Sequence, residues 1–424
     1  MSSEEYFLSA ANPLATVDQL EVEDRALRLI DRPEIKKARD LAAHLWRNCA
    51  AFPARDQMSN FEGMINEYAF NHALWAANND ARDPKISWVQ VPSHCWFGRE
   101  VPGSRWGGES PDAIYRQIPV AHGGTYEISV RPTCADPPMS VYSLMSDNTA
   151  QPITQGLLDS AELAKDENGA FVITIDPTPA QGRTNHIQSR AGADHLNIRD
   201  VLGDWLTQAP NQLRVRTLDR PSRGSSSEDE LAERAVRKLL DGVYFAYYCS
   251  QSGSTQPPNE MRAPVSSALT AGLSNQLGTK SNISIADDEA LVVSANSAGA
   301  RFRSAVLYDA FSLSVSYWSH ISSLNMTQMA PDEDGGFTYV VAHEDPGVHN
   351  WLDTCGLNRM IFGHRWQSFS GDGSRQTPAI SARVLKFREL ESGLAPGVLR
   401  ITAAGRRAQI ARREAGFKRR FVEC

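Results

Sequence analysis

The sequence lacks most of the devices that would announce a function. It holds six cysteines in 424 residues, Cys49, Cys95, Cys134, Cys249, Cys355 and Cys424, and none are spaced as CxxC. That excludes a zinc cage of the usual spacing, and a chain this long can bury a core without a disulfide framework. The cysteines are therefore expected to be reduced thiols in a cytoplasmic setting. No apolar run approaches the ~18 residues needed to cross a membrane. The opening Met1-Ser-Ser-Glu-Glu5 has neither the basic nor the apolar region of a secretory signal. An excess of positive charge is missing as well, since the net charge is −7, so neither a nucleic acid nor a membrane is expected as a partner. There is no GxGxxG after a strand, no GxxxxGK[ST], no HExxH and no GxSxG. No organic cofactor is expected, and a divalent metal is not favoured, because His343 and His349 are six apart, which is not a standard helical spacing.

What remains is ordinary globular material, 41% hydrophobic and 22% charged. Apolar residues at helical spacing mark residues 20 to 50, with a break at Pro33, and again Ser59 to Ala77, where Phe61, Met64, Ile65, Tyr68, Ala69 and His72 share a face. A core histidine is the simpler reading of His72. From Lys85 onward the pattern changes to short alternating runs broken by Gly, Pro and Asp. Ser87–Val91, Ala113–Ile118, Thr125–Val130, Ser140–Leu144, Phe171–Ile175 and Leu213–Thr217 read as strands. Residues 218 to 227 read as a polar linker. Ser227 with Glu230 makes a capping box that opens a helix running to about Cys249. Residues 250 to 282 read as a long connection or flap. Leu291–Ser294, Phe311–Trp318 and Phe337–Val341 are further strands, and residues 402 to 424 form a basic helix, either solvated or in contact with an acidic partner or subunit.

The fold class that follows is mainly β with helical additions (α+β), with a jelly-roll or β-sandwich core in two layers or domains. The expected organisation is a helical region at 1–84, a first β-rich domain at 85–217, a helix and connection at 218–282, a second β-rich domain at 283–401 and the basic helix at 402–424. A coarse echo of turn, strand and Tyr-rich strand near 108–144 and again near 299–341 fits two such units. A homo-oligomer is a mild expectation, because the faces at Phe61–Ala76 and Tyr244–Tyr248 offer burial surfaces.

The densest polar cluster runs from His343 to Thr354, with two histidines, three carboxylates, an Asn and a Trp. In an extended segment after the Asp345-Pro-Gly347 turn, His349, Trp351 and Asp353 would share one face. Histidine and carboxylate beside an aromatic wall suit general acid–base catalysis. His349 or His343 would be acid or base, Asp353 would orient it, and Arg365 would steady negative charge. Trp351, Trp366, His364 and Asn350 would hold the substrate. The competing view makes Trp351 and Trp366 core aromatics and Arg365 with Asp353 a structural pair. Asp287-Asp288-Glu289 reads as a polar turn rather than a cation site. His94 beside Cys95 is discounted as a catalytic pair, because neighbours on a strand point to opposite faces.

Asp345-Pro-Gly-Val-His-Asn-Trp-Leu-Asp-Thr-Cys-Gly356 with Arg365-Trp366 resembles the hallmark of the domain-of-unknown-function family 1214. Ser323-Leu-Asn325 with Gln328, Asp334-Gly335, Asn197-Ile-Arg199 with Asp204-Trp205, and Pro111-Asp112 with Tyr115 resemble that family too. His122-Gly-Gly124 and Glu109-Ser110 depart from its commoner Asn-rich turn, and the helical segment before residue 85 is an addition. The resemblance implies a jelly-roll-like sandwich, often with another β domain, and brings no established activity or catalytic residues.

Two functions stand open at this point. One is a cofactor-independent lyase, isomerase or hydrolase acting on a small, rather apolar metabolite. The other is a non-catalytic jelly-roll protein binding a glycan or lipophilic ligand, since this fold class hosts both.

Overall fold

The computed structural model describes residues 6–49, 57–146, 152–218, 226–251, 256–270, 273–369 and 376–422. Most of the expected linker at 218–227 lies outside the described residues, as does the opening Met1–Glu5. Helices α1 (Val17–Ile30) and α2 (Pro33–Arg47) meet at the predicted break. Pro33 takes the first helical position, where its missing N–H costs nothing. Helix α3 (Met58–Ala77) buries Phe61, Met64, Ile65, Tyr68 and Ala69 inside the molecule, so this face is used internally rather than for an oligomer contact. His72 is buried on that helix with Nδ1 2.8 Å from the Tyr68 carbonyl, as a satisfied core histidine. The Ser227–Glu230 capping box is present and starts α4 (Glu228–Asp241); Gly242 separates it from α5 (Val243–Gln251).

The strands are β1 (Ser87–Val89), β2 (His94–Trp96), β3 (Arg99–Val101), β4 (Ala113–Pro119), β5 (Tyr126–Arg131), β6 (Met139–Ser146), β7 (Thr154–Asp159), β8 (Phe171–Asp176), β9 (His186–Gln188), β10 (Ala193–Val201) and β11 (Gln212–Thr217). After the helices come β12 (Val265–Ser266), β13 (Gln276–Ser284), β14 (Glu289–Ala295), β15 (Ala300–Tyr308), β16 (Ser323–Asn325), β17 (Phe337–Ala342), β18 (Trp351–Asp353), β19 (Arg359–Phe369) and β20 (Ile380–Lys386). The chain is mainly β and forms two sandwiches. The first packs sheet β1-β4-β10-β6-β7 on sheet β11-β5-β8-β9; the second packs β12-β13-β19-β15-β16 on β18-β17-β14-β20. Counted from β4 and from β13, the two orders are the same, down to one short parallel pair in each, β8–β9 and β17–β18. The faint echo in the sequence is thus a repeat of topology.

Each core follows from strand alternation. Ile118, Tyr142, Leu144, Leu196 and Ile198 meet Ile128, Val130, Ile173 and Ile175 in the first sandwich. Ile283, Leu307, Phe362 and Trp366 meet Leu291, Val293, Tyr339 and Val341 in the second. The polar residues between them on β4, β10, β13 and β19 then face outward, and the outward faces of the two large sheets turn toward one another.

Three expectations are corrected. Gln276–Ser284 overlaps the end of the expected flap at 250–282 but is a nine-residue strand, because Ile283 reaches the core while its polar neighbours face a polar space. Phe311–Trp318 alternates like a strand but is a loop. Asp309 Oδ1 accepts from the Phe311 and Leu313 amides and coils the chain, with Ser312 at φ 58°. The thiols were expected reduced, and Cys49, Cys134, Cys249 and Cys355 are not in disulfides, but Cys95 is disulfide-bonded. A bond of this kind depends on spatial approach, which sequence separation does not reveal.

The basic segment is the helix α6 (Ala403–Lys418), with Arg407, Arg412 and Lys418 exposed on a solvated face and the other side packed on the protein. Arg406, Arg413 and Arg420, spaced by seven residues so that they fall on one side, are each 4–5% exposed. They dock the C-terminal segment on the protein through Asp345, the Tyr317 and Ser323 carbonyls, and the ring of Trp205.

Candidate functional site

The residues singled out between His343 and Trp366 do not converge on one site. Arg406 pairs with Asp345 at 2.9 Å, donates to the Val348 carbonyl and lies 4.9 Å over the Trp351 ring. Asn350 bridges the chain by accepting from the Ala330 amide at 2.8 Å and donating to the Ala330 and Thr338 carbonyls. Trp351 Nε1 donates to the Ala342 carbonyl. His349 Nε2 stands 3.2 Å from the Gln328 carbonyl and near Gln409 of α6, while His343 Nδ1 contacts Thr354 Oγ1 at 2.8 Å. Asp353 accepts from the Cys355 amide, and burial raises its pKa. His349, Trp351 and Asp353 therefore serve different contacts, and neither they nor His343 line the cavity between the sandwiches. His364 faces the second core, 4.1 Å centroid to centroid from Trp366, and burial pushes its pKa down to about 3. Of the eight residues, Arg365 alone sends its side chain to the opposite face of β19.

The other motif pieces gather between the sandwiches. Asp112 Oδ1 accepts from Trp205 Nε1 at 3.0 Å and from Asn325 Nδ2 at 2.6 Å. Asn325 also donates to the Leu202 and Gly203 carbonyls, and Gln328 receives Arg413. Residues more than two hundred positions apart thus form one latch joining the first sandwich to the second.

Between the two large sheets, roofed by α3, α4 and α5, lies a cavity of about 700 Å³. Its apolar wall carries Trp75, Trp106, Phe245 and Tyr247. Its floor is cationic. Arg199 on β10 and Arg365 on β19 come from the corresponding central strands of the two sandwiches, and Lys280 comes from β13. None of the three has a carboxylate within ion-pair distance among the described residues. Arg365 donates to the Gly108 carbonyl at 2.7 Å and to Tyr308 Oη at 2.6 Å. Its Nη1 and the Nη1 of Arg199 are buried without a hydrogen-bond partner, as are Asn197 Oδ1 and Gln367 Nε2. Burial, together with the Arg365 charge, lowers the Arg199 pKa. A buried cation without a counter-charge costs several kcal/mol, which the fold has no structural need to bear.

One end of the cavity carries an Asp–His pair. His195 Nδ1 is 2.8 Å from Asp194 Oδ2, its ring lies 6.0 Å from Trp75, and Lys238 of α4 sits 3.5 Å from Asp194 Oδ1. Burial works against the Asp194 carboxylate, but His195 and Lys238 outweigh it and hold its pKa at about 2. A fixed carboxylate on Nδ1 sets the tautomer and leaves Nε2 to exchange a proton with a ligand. Near Arg365 lies Glu109, whose Oε1 accepts from the Ser314 amide at 3.0 Å while Oε2 is buried without a partner. Burial raises its pKa against the pull of Arg105.

His195, Asp194 and Lys280 went unsingled in the sequence, and Arg199 and Glu109 entered only as a piece of the family pattern and a departure from it, not as site residues. The alternation of Leu196 and Ile198 with Asn197 and Arg199, and of Phe362, His364 and Trp366 with Gly363, Arg365 and Gln367, was the available signal: polar residues on the outer face of a core strand. As for metals, His320, Asp353 and Cys355 bring one ligand atom each within 4.8 Å of one another. Burial and Asp353 push the Cys355 thiol up to about 12, so the set offers a protonated thiol rather than a thiolate. No helix among the described residues is long and apolar enough to cross a membrane.

No family model matches the chain, and no curated protein matches it. Among solved structures, the chain is similar to an uncharacterized protein from Burkholderia cenocepacia, with a TM-score of 0.70 and 22% sequence identity, covering 86% of this chain and 100% of that one. At that identity the likeness shows the fold. A protein from Vibrio parahaemolyticus is similar with a TM-score of 0.41 and 12% identity, over 65% of this chain and 90% of that one, which is too low to carry an argument.

Proposed function

We propose that the cavity between the sandwiches binds a small organic anion with an apolar body, and that His195, oriented by Asp194, performs acid–base chemistry on it without an organic cofactor. The observation that carries this reading is the pair of guanidiniums, Arg199 and Arg365, buried on the cavity floor with free N–H groups and no carboxylate partner. An anion would satisfy both at once through charge-assisted hydrogen bonds. The aromatic wall gives its apolar part a place to be buried. The acid–base role moves from His349, His343 and Asp353 to His195 because only His195 combines a fixed carboxylate with an opening on the cavity.

The alternative, binding without turnover, shares the same floor, and the cations favour an acid over a neutral glycan. Titration calorimetry with aromatic and aliphatic carboxylates should give saturable binding that Arg199→Met weakens. Turnover of a mixed pool of organic acids, followed by NMR, should be lost in His195→Gln. Absence of binding to every acid would remove the reading. Binding by a wild type that turns over nothing leaves the non-catalytic alternative.

Membership in family 1214 is retained as a proposal. Its support is that Asp112, Trp205, Asn325 and Gln328, which carry the resemblance, meet in one latch. A cytoplasmic site is proposed on the four cysteines outside any disulfide, with the Cys95 disulfide weighing against it. A homo-oligomer would use the exposed Tyr244, which is 61% accessible.

A further inference from the structure

We propose that the anion is an oxo acid and that Lys280 is the nucleophile that condenses with its carbonyl carbon to form an imine, with Glu109 supplying the proton that releases water. This rests on the reading of the cavity as an organic-anion site. Lys280 lies on β13, whose register sets it opposite Gly363 and therefore diagonal to Arg365. An acid held by Arg365 would carry its carbonyl within reach of that amine. Nζ donates to the Gly107 carbonyl at 3.2 Å and to the Cys249 carbonyl at 3.1 Å. A neutral amine has two N–H groups for these two acceptors and keeps one lone pair for a ligand. The approach is tight: Gly108 has φ +82°, and a Cβ there would run into Nζ. The same turn delivers Glu109, whose unpartnered Oε2 is buried in the cavity lining.

The titratable groups facing the amine are Arg365 on β19, Cys249 on α5, Glu109 on the turn and Tyr308 on β15, whose ring centroid lies 5.7 Å from Nζ. Burial, with Arg365 adding to it, pushes the Lys280 pKa down to about 8, while burial raises that of Glu109. Desolvation beside a second cation is a known way to make a lysine nucleophilic near neutral pH. The step balances. Nζ bonds to the carbonyl carbon as the π pair moves to oxygen, and one proton passes from nitrogen to oxygen to give the carbinolamine. The C–O bond then breaks, the oxygen leaves as water with a proton from Glu109, and the nitrogen lone pair completes C=N. The products are a protonated imine, a Glu109 carboxylate and water, with no change of oxidation state.

The test traps the imine on the full chain. Pyruvate, phenylpyruvate and acetoacetate are each added with cyanoborohydride, and the product is read by intact mass and peptide mapping. One adduct per chain on Lys280 is expected, absent in Lys280→Arg, slowed about tenfold in Glu109→Gln, and with a trapping rate half-maximal near pH 8 rather than the ~10.4 of an ordinary lysine. Adducts spread over surface lysines, equal in wild type and Lys280→Arg, would overturn the proposal. Titration of phenyllactate, which has no carbonyl, reads the anion site separately. Acids that bind while no adduct forms overturn the imine alone; acids that do not bind remove the anion site and the imine with it.

Discussion

Two regions concentrate charged and polar side chains, the segment Asp345–Thr354 and the cavity between the sandwiches, and they treat those groups in opposite ways. In the segment, Asp345 has Arg406, Asn350 has three backbone partners and Trp351 has the Ala342 carbonyl. In the cavity, Arg199, Arg365, Asn197, Gln367 and Glu109 each keep a buried polar atom with no partner. A satisfied cluster holds a fold together. An unsatisfied one, kept at a cost in stability, is where a ligand is missing. Density of polar residues along the chain does not separate the two cases; partners in space do.

The largest expected effect contrasts two neighbours on β19, His364 facing the core and Arg365 facing the cavity. His364 is buried neutral, its pKa lowered by burial to about 3. Its contribution to stability is complete above the unfolded-state pKa of ~6.5 and is lost as pH falls toward the folded value, at about 1.4 kcal/mol per unit. By pH 4 the loss is on the order of 3 kcal/mol. Urea unfolding of wild type at pH 7, 5.5 and 4 should show this slope, and His364→Gln should flatten it. Equal slopes in the two proteins would mean that His364 is charged or solvated in the folded state.

Within the segment, Asn350→Ala should destabilise by about 2–3 kcal/mol, because it strands the Ala330 amide and two carbonyls in a buried place. Anion binding should not change. A variant that lost binding while keeping its melting temperature would move the segment from scaffold to site and erase the distinction drawn above.

Much of the fold was readable, for reasons specific to particular elements. The break at Pro33, the capping box at Ser227 and the alternation of Tyr126, Ile128 and Val130 each follow from local rules that a sequence states directly. The cavity was not, because it has no local rule. Arg199, Lys280 and Arg365 stand on three strands from two sandwiches, and no stretch of chain records that they face one another. The segment around His349 drew attention because its partners, Arg406 and Gln409 of α6, lie about sixty residues away. The basic helix hid its role in the same manner, since only the spacing of Arg406, Arg413 and Arg420 hints that one side is buried.

In the cavity the sign of the stability effect is the sharper reading. Arg365→Met should weaken binding of an organic acid about 10–100-fold, that is by ~1.4–2.8 kcal/mol. Exchange of an unpaired buried cation for an apolar side chain of similar volume should leave stability unchanged or raise it. Arg199→Met should do the same from the other sandwich. Calorimetry and thermal melts on both variants check the pair of outcomes. A fall in stability as large as that of Asn350→Ala would show that the arginines are scaffold after all.

The smallest effect is the most pointed, because it concerns the histidine that the sequence favours. His349 touches the Gln328 backbone carbonyl and Gln409 Nε2, is only part-buried, and does not line the cavity between the sandwiches. His349→Gln keeps a hydrogen-bonding group at that place, so stability should shift by less than about 0.5 kcal/mol. Anion affinity and any turnover found for the wild type should stay within about twofold, since an isolated surface contact adds little. His195→Gln, measured beside it, should keep the fold and lose turnover. The two substitutions make the same chemical change in two histidines, and differ in whether the ring has a fixed carboxylate and a space to act in. If His349→Gln abolished turnover and His195→Gln did not, the general acid or base would belong to the segment, and the free charges of the cavity would need another account.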